Sequence, residues 1–561
     1  MRSFLKGQQG STVFILGISV LFLLLICLYP FLTLFGKITF PMPAGVFDLK
    51  YFLKIFDNKT TLLAIKNTVS ISLGTAFLST LMALPLSWLL TRTNVPGANK
   101  LRSWFCLPYA IPPYIGAIAW IYLANPTTGI LNIWLGQGTI NIYTYGGLIW
   151  VMSCFFYTFI LLSLLAALDR MDPSLEEAAR LSGAGPLRVF FQITVPIIMP
   201  ALLSGVLLVI LAAAASFGVP AMIGNPASIY LVTTRIYTFM KMGSVSGTYT
   251  AGALSIILLV LAVIVLWANQ RLMSKGHFKT VGGKTSRPSL IDLGALRFPM
   301  LFAMGLSFLV IFILPLGGIL VTALSKVQGS LTLDNMGFQN FYKIFFETDE
   351  TPRALWNSTK LAFWAATIAV TFGMILSYIV QKTKIKGRGV VEILASLPYA
   401  TPGTVLAFAF ILTFSSGILG FSVPLYNTIY LIAMAYIAKY LNFALRTCGD
   451  GFGQIDDVLA EAARVSGASW LTTMRTIWFP LMKPALVASW FLVFMPCFSE
   501  LTMTILLSGP GLETLGTLIF QLQEYADASG GGSAVLALIT IAIVAIINFT
   551  VKTVSKGKYG L

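Results

Sequence analysis

The sequence has little charge, almost no histidine and no paired cysteines. Only 10% of its 561 residues are charged, against 57% hydrophobic, whereas soluble domains carry roughly 25% charge. A soluble chain of this size needs far more charge to cover its surface, so lipid is the solvent that fits. The one histidine, His277, lies in a basic stretch, which excludes a histidine-built metal cluster. The five cysteines (Cys27, Cys106, Cys154, Cys448 and Cys497) include no CxxC pair. Their odd number implies no disulfide framework. A phosphate loop is missing too: Gly282-Gly-Lys-Thr285 fails the pattern because Phe278 stands where its first glycine is required. Acidic residues are scarce, 20 against 37 Lys and Arg, for a net charge of +17. Positive loops facing anionic lipid account for that excess without nucleic acid as a partner.

What the chain does have is long apolar runs. About 20 apolar residues cross a bilayer as a helix. Candidate spans are 12–36, 64–90, 104–124, 147–168, 199–222 and 250–270, then 298–323, 359–380, 391–414, 427–445, 485–507 and 533–551. The run from Thr12 is longer than the apolar core of a cleavable signal and no small-x-small site follows, so it is expected to be the first span. With the N-terminus placed inside, the inner loops hold 25 Lys and Arg and the outer loops 9. The positive-inside rule then puts both termini in the cytoplasm. The expected fold is an all-α integral membrane protein of about twelve transmembrane helices.

The two halves repeat each other. Leu107-Pro-Tyr-Ala-Ile-Pro-Pro113 answers Leu397-Pro-Tyr-Ala-Thr-Pro-Gly403 at an offset of 290, and Asn67 answers Asn357 at the same offset. Glu177-Ala-Ala-Arg-Leu-Ser-Gly183 answers Glu461-Ala-Ala-Arg-Val-Ser-Gly467 at an offset of 284. The implied organisation is a first six-helix half over 1–270, a basic cytoplasmic linker over 271–297, and a second six-helix half over 298–561. Six helices per half make the repeats parallel, with a pathway where they meet.

Each half has a long inner loop between its fourth and fifth helices, 170–198 and 446–484. In the first, Asp172 is placed to cap a short helix, and Glu176 and Glu177 suit the positive end of its dipole. Ala178 and Ala179 leave a small face, Gly183 ends the helix, and a second amphipathic piece, Leu187–Val195, leads to Pro196. The second loop repeats this with Asp456, Glu461, Ala462, Ala463, Gly467 and Pro480. A short helix with a small face and a fixed break suits docking into a groove of a soluble partner.

Glu177-Ala-Ala-x3-Gly183-x9-Ile193-x-Val195-Pro196 and its copy resemble the "EAA" signature of permeases in bacterial type I, binding-protein-dependent ABC importers. Val195 and Phe479 stand where that family often has Leu. The resemblance implies that each loop forms a coupling helix seated on a homodimer of cytoplasmic ATP-binding subunits. It also implies that ATP is bound there and not on this chain, that a periplasmic or extracellular binding protein delivers the solute, and that the chain sits in a bacterial inner membrane. The chain itself is then a transport subunit, not an enzyme. The fused layout resembles the ferric-iron importers, with thiamine, 2-aminoethylphosphonate, other organophosphates and polyamines as alternative cargoes.

Glu500 is the one acid well inside an expected span, and its repeat counterpart is Ser216. A carboxylate there faces a polar cavity or a partner. In the family the fifth helices line the pathway, so Ser216 and Glu500 are candidate path residues; the alternative is that Glu500 holds helices together. The outer loop 508–532, with Glu513, Glu524 and Asp527 and no Lys or Arg, is equally readable as a docking surface for the binding protein and as a solvated loop. An ion-coupled secondary transporter is the rival class, but it has no use for two EAA loops.

Overall fold

The computed structural model describes residues 10–41, 45–275, 290–415, 424–524 and 531–554. Most of the expected linker 271–297, with His277 and the Gly282-Gly283-Lys284 stretch, lies outside the described residues, as do the ends of both terminal segments and Asp527. Among the described residues the chain is helical, with two isolated bridges and no strand.

Among the described residues nine helices are long and apolar enough to cross a membrane, and eleven spans result when two bent pairs count as one each. In the first half these are α1 (Leu16–Thr39), α2 (Lys59–Arg92), α3 (Ala98–Ala110 with Pro113–Ala124), α4 (Tyr145–Arg170), α5 (Pro186–Ala215) and α6 (Val245–Leu272). In the second half α7 (Gly294–Leu324), α8 (Glu350–Lys382) and α9 (Gly389–Ala400 with Gly403–Phe414) precede α10 (Ile429–Gly453), and α11 (Trp470–Phe498) and α12 (Gly531–Val551) complete the set. The helix α10 is not among the eleven, for it carries Lys439, Arg446 and Asp450. Its position makes it the twelfth: the offset of 284 carries Tyr145, where α4 begins, onto Ile429.

Two expectations about span shape are corrected. The runs 104–124 and 391–414 are each two arms, bent by 97° and 106°. The repeated Leu-Pro-Tyr-Ala motif ends the first arm, and the proline after it makes the corner. Proline lacks the amide that would continue the helix and forces the residue before it to extend; Ile111 and Thr401 accordingly have ψ of 128° and 138°. The runs 199–222 and 485–507 end early, since α5 stops at Ala215 and α11 at Phe498.

The first helix of each half crosses onto the other half. Phe22 of α1 stacks on Phe372 of α8 at 4.0 Å between ring centroids, and Lys37 Nζ donates to Leu412 O at 2.6 Å. Reciprocally, Phe308 of α7 packs on Trp104 and Phe105 of α3 at 5.8 and 5.6 Å. Within each half the second, fourth and fifth helices form the core, and small residues bring backbones together, as membrane helices require in the absence of a hydrophobic drive. A Cβ on Gly205 would come 2.9 Å from Ile160, and one on Gly373 2.6 Å from Ala444.

The repeated asparagines do the same job twice. Asn67 Nδ2 donates to Tyr230 O at 3.0 Å, and Asn357 Nδ2 to Glu513 O at 2.9 Å. The next hydroxyl in each half, Thr68 or Ser358, accepts from the amide of Val232 or Leu515 at 2.9 or 2.8 Å. Each pair ties the second helix to the segment that follows the break in the fifth. Glu513 in the loop 508–532 is held by Arg353 Nε at 3.0 Å, so one of the three acids of that loop serves the fold.

Candidate functional site

Both EAA loops fold as short helices, Ser174–Leu181 and Val458–Val465. Asp172 Oδ1 accepts from Ser174 N at 2.9 Å, and Asp456 Oδ1 from Val458 N at 3.1 Å, so each acid satisfies a free amide at the helix start. The Ser174 amide holds the exposed Asp172 carboxyl below the usual carboxylate range. Gly183 and Gly467 end the helices with φ of +85° and +78°, and the amides of Ala184 and Ala468 reach back to Ala179 O and Ala463 O at 3.0 Å. That left-handed step and wrapped-back bond form a glycine C-cap.

The surface these helices present is apolar. Leu181 and Val465, at the same repeat position, are 91% and 90% exposed. Leu175 and Leu187 of the first loop, with Leu459 and Leu471 of the second, are exposed beside them. Ala178 and Ala462 are exposed and Ala179 and Ala463 half-buried, while Glu177 is half-buried and Glu461 exposed. Matched apolar patches of this kind mark a surface made to be covered.

A separate amphipathic piece at Leu187–Val195 does not form. That segment is the start of α5, which runs unbroken for 30 residues from Pro186 to Ala215; α11 likewise runs 29 residues from Trp470 to Phe498. A π-helical turn precedes each proline, Phe190–Thr194 before Pro196 and Met474–Trp478 before Pro480. Such turns absorb the missing amide without breaking the rod. Each EAA loop is therefore the base of the fifth helix of its half.

The sequence singled out Glu177, but the buried carboxylate is its neighbour Glu176. Arg92 Nε, at the end of α2, lies 2.7 Å from Glu176 Oε2, with the two side chains 3% and 5% exposed. Thr194 Oγ1 donates to Glu176 Oε1 at 2.6 Å, and Arg92 Nη2 to Leu168 O at 3.0 Å. This cluster fixes the first EAA helix to the ends of three helices. Arg92 is buried although it ends a span, and that end position was the only sequence signal for it.

At their far ends α5 and α11 break where the halves meet. Ser216 is half-buried past the end of α5, and its carbonyl accepts from Thr233 Oγ1 at 2.7 Å. Glu500 is buried beyond α11, outside any helix. Its carboxylate accepts from Met503 N at 2.9 Å, Thr504 N at 3.0 Å and Thr504 Oγ1 at 2.7 Å, which caps the turn Thr504–Leu507. These bonds all lie within four residues, so they make Glu500 a local cap of the chain that follows the break. Gly218 of the first half lies against Leu501 of the second, where a Cβ would meet Leu501 Cδ2 at 3.2 Å and Tyr114 Cβ at 2.5 Å.

Sequence reading missed two groups near this junction. Lys439 Nζ, on α10, donates to Tyr399 O at 3.0 Å and to Thr401 O, carbonyls left open at the corner of α9. Tyr109 and Tyr399 are the repeated tyrosines of Leu-Pro-Tyr-Ala. Each also packs on a phenylalanine of the fourth helix of its half, Phe159 at 5.6 Å and Phe443 at 5.0 Å. Among the described residues no group of three or more His, Cys, Asp or Glu is placed to hold a metal ion.

Comparison with known proteins matches a family model, "Binding-protein-dependent transport system inner membrane component", to residues 76–273 and again to 369–558. The ferric transport system permease protein FbpB of Actinobacillus pleuropneumoniae is 26% identical, over 98% of this chain and 80% of its own length. The Fe(3+)-transport system permease protein FbpB 2 of Haemophilus influenzae is 24% identical, over 86% of this chain and 87% of its own. Among solved structures, a chain of a bacterial alginate ABC transporter in complex with its periplasmic protein aligns with a TM-score of 0.38 at 20% identity, over 47% of this chain and 96% of that one.

Proposed function

This chain belongs to the family of binding-protein-dependent transport system inner membrane components, as a fused two-half ABC importer permease, and from that premise we propose that its EAA loops are the handles of an external motor. The observation that carries the proposal is the pair of exposed apolar patches at the base of two long helices whose other ends break at the junction of the halves. A helix of 30 residues is about 45 Å long. Movement imposed on its base is delivered at Ser216 in one half and at Ser499–Glu500 in the other.

In this reading the EAA loops face the cytoplasm and dock on two copies of an ATP-binding subunit, which binds and hydrolyses the ATP. Glu177, Ala178, Ala179 and Gly183, with Glu461, Ala462, Ala463 and Gly467, form the docking face, and Pro196 and Pro480 lie inside the rods, just past the π-helical turn of each. A binding protein on the opposite side delivers the solute. The path runs where the halves meet, past Ser216, Glu500, Tyr109 and Tyr399. Ferric iron is the cargo favoured by the names of the relatives that cover most of the chain.

The test is reconstitution with the ATPase and the binding protein. The double variant Glu177→Lys, Glu461→Lys is expected to lose the co-purifying ATPase subunit and the uptake of labelled ferric iron into proteoliposomes. Wild-type uptake with the ATPase still attached would overturn the coupling role. Uptake of another solute, with none of iron, would overturn the cargo alone.

A further inference from the structure

A cavity of about 520 Å³ lies between α6 of the first half and α9 and α10 of the second. Its α6 wall is Leu259, Ala262, Val263 and Leu266, a single helical face by spacing, with Gln270 one turn further on. The opposite wall carries Glu392 and Ser396 of α9 and Asn442 and Arg446 of α10, each pair at i, i+4. Ser396 Oγ donates to Asn442 Oδ1 at 3.1 Å. Arg446, Glu392 and Gln270 are exposed and make no hydrogen bond or ion pair among the described residues.

The lining is graded along the membrane normal. The helix α10 continues into the second EAA loop, α9 begins just after Lys382, which contacts that loop through Asp457, and α6 ends on the same side. Arg446, Glu392 and Gln270 therefore lie at the EAA-loop end, and the apolar face of α6 extends about 16 Å deeper, to Leu259. Val263, seven residues and about 10 Å deeper on α6 than Gln270, is 49% exposed. Exposed apolar groups at that depth face acyl chains, so the cavity opens sideways to the bilayer.

Two observations set the cavity apart from the transport route. It reaches the corner of α9 through Leu397, Ala400 and Thr401, yet none of Tyr109, Tyr399, Ser216 and Glu500 lines it. It also has no repeat copy, for the equivalent positions hold Arg102, Cys106, Thr158 and Leu162, and Arg102 is already bonded to Asp169 at 3.0 Å.

We propose that this cavity holds one phospholipid from the leaflet on the EAA-loop side. Its phosphate sits on Arg446 with the amides of Asn442 and Gln270, its headgroup ammonium or hydroxyl on Glu392, and one acyl chain along the Leu259–Leu266 face. A guanidinium with open donors matches a phosphate's oxygens, and one base with one acid in the lining, Arg446 and Glu392, matches the opposite charges of a zwitterionic headgroup. Because one wall belongs to each half, the lipid bridges the two bodies of the transporter.

The experiment counts phospholipid retained by the purified full-length chain after detergent washing, using native mass spectrometry. Wild type is expected to keep one molecule. Arg446→Gln should weaken retention about tenfold through loss of a charge-assisted bond. Ala262→Trp, which fills the apolar end and leaves every charge in place, should weaken it as well. Equal retention in wild type and either variant overturns the proposal. So does soluble phosphoethanolamine binding as tightly as the lipid, which would make the cavity a solute site.

Discussion

The two halves anchor their EAA helices to the same place by different chemistry. In the first half Arg92, Glu176 and Thr194 form a dry cluster, with the ion pair at 2.7 Å and both side chains almost fully buried. At the repeat positions the second half has Lys382, Ala460 and Trp478. Lys382 reaches instead to Asp457 at 2.5 Å, where the carboxylate is 67% exposed. It also donates to Ile455 O at 2.9 Å and lies over the Trp478 ring at 5.1 Å. Duplication has kept the joint between the second helix and the loop and replaced a buried ion pair with a wet one. The first EAA helix is thereby held in one arrangement, while the second has water available to either partner if the joint opens.

The largest difference between the halves should appear when each joint is cut. Glu176→Ala leaves the Arg92 charge buried and unpaired, a loss of about 3–5 kcal/mol. Asp457→Ala removes an exposed partner from a lysine that keeps its carbonyl and ring contacts, a loss of about 1 kcal/mol or less. Thermal melting of the purified chain should show a large drop for the first and little change for the second, and uptake should follow the same order. Equal drops would mean that the two joints are energetically alike, whatever their exposure.

The second contrast lies at the breaks. Glu500 gathers three donors just past the end of α11, while among the described residues the Ser216 hydroxyl at the matching place makes no hydrogen bond. Glu500→Gln keeps one acceptor and loses the charge, which should cost about 1–3 kcal/mol. Ser216→Ala should cost well under 1 kcal/mol. Uptake in vesicles with normal assembly divides the two roles of Glu500. If the assembled Glu500→Gln protein transports at the wild-type rate, the carboxylate is a cap and no part of the path.

Much of this was legible in the sequence. The repeat, the twelve stretches, the Asp caps and the Gly breaks are local patterns, and local patterns survive reading in one dimension. The pairing of Arg92 with Glu176 was not legible, because the two are far apart in the chain and the partner helix is fixed only by packing. The doublet Glu176-Glu177 offered two acids at the positive end of one helix, and nothing local says which turns inward. The corners at Pro112 and Pro402 were marked by their prolines, yet the surrounding apolar length reads as one straight span. The crossing of α1 and α7 onto opposite halves leaves no mark in either helix.

A smaller contrast concerns which side of a contact carries the glycine. In the first half Gly218 meets Tyr114, and in the second Gly403 meets Thr502, where a Cβ would come 2.9 Å from Thr502 Cγ2. Thr502 is the repeat counterpart of Gly218, and Pro113 that of Gly403, so the small residue has moved from the fifth-helix segment to the third. Gly218→Ala should cost about 1–3 kcal/mol by overpacking against Tyr114. Because the clash is with Tyr114 Cβ, Tyr114→Ala in the same protein should recover none of that loss, and a melt of the double variant clearly above the single would break the assignment.

The smallest difference between the halves should be at the two C-caps, where the effect is the same in both, and that makes it the control for the rest. Gly183 and Gly467 hold nearly equal positive φ, and no atom lies within 4 Å of where a Cβ would stand on either. Alanine therefore meets no neighbour, and its only penalty is the left-handed backbone, about 1–2 kcal/mol. Gly183→Ala and Gly467→Ala should lower the melting temperature by the same small amount. They should slow uptake equally, because each loosens the C-cap of one EAA helix and leaves its anchor intact. If Gly183→Ala proves much the more damaging, the asymmetry of the anchors extends into the caps, and the two loops are not equivalent handles.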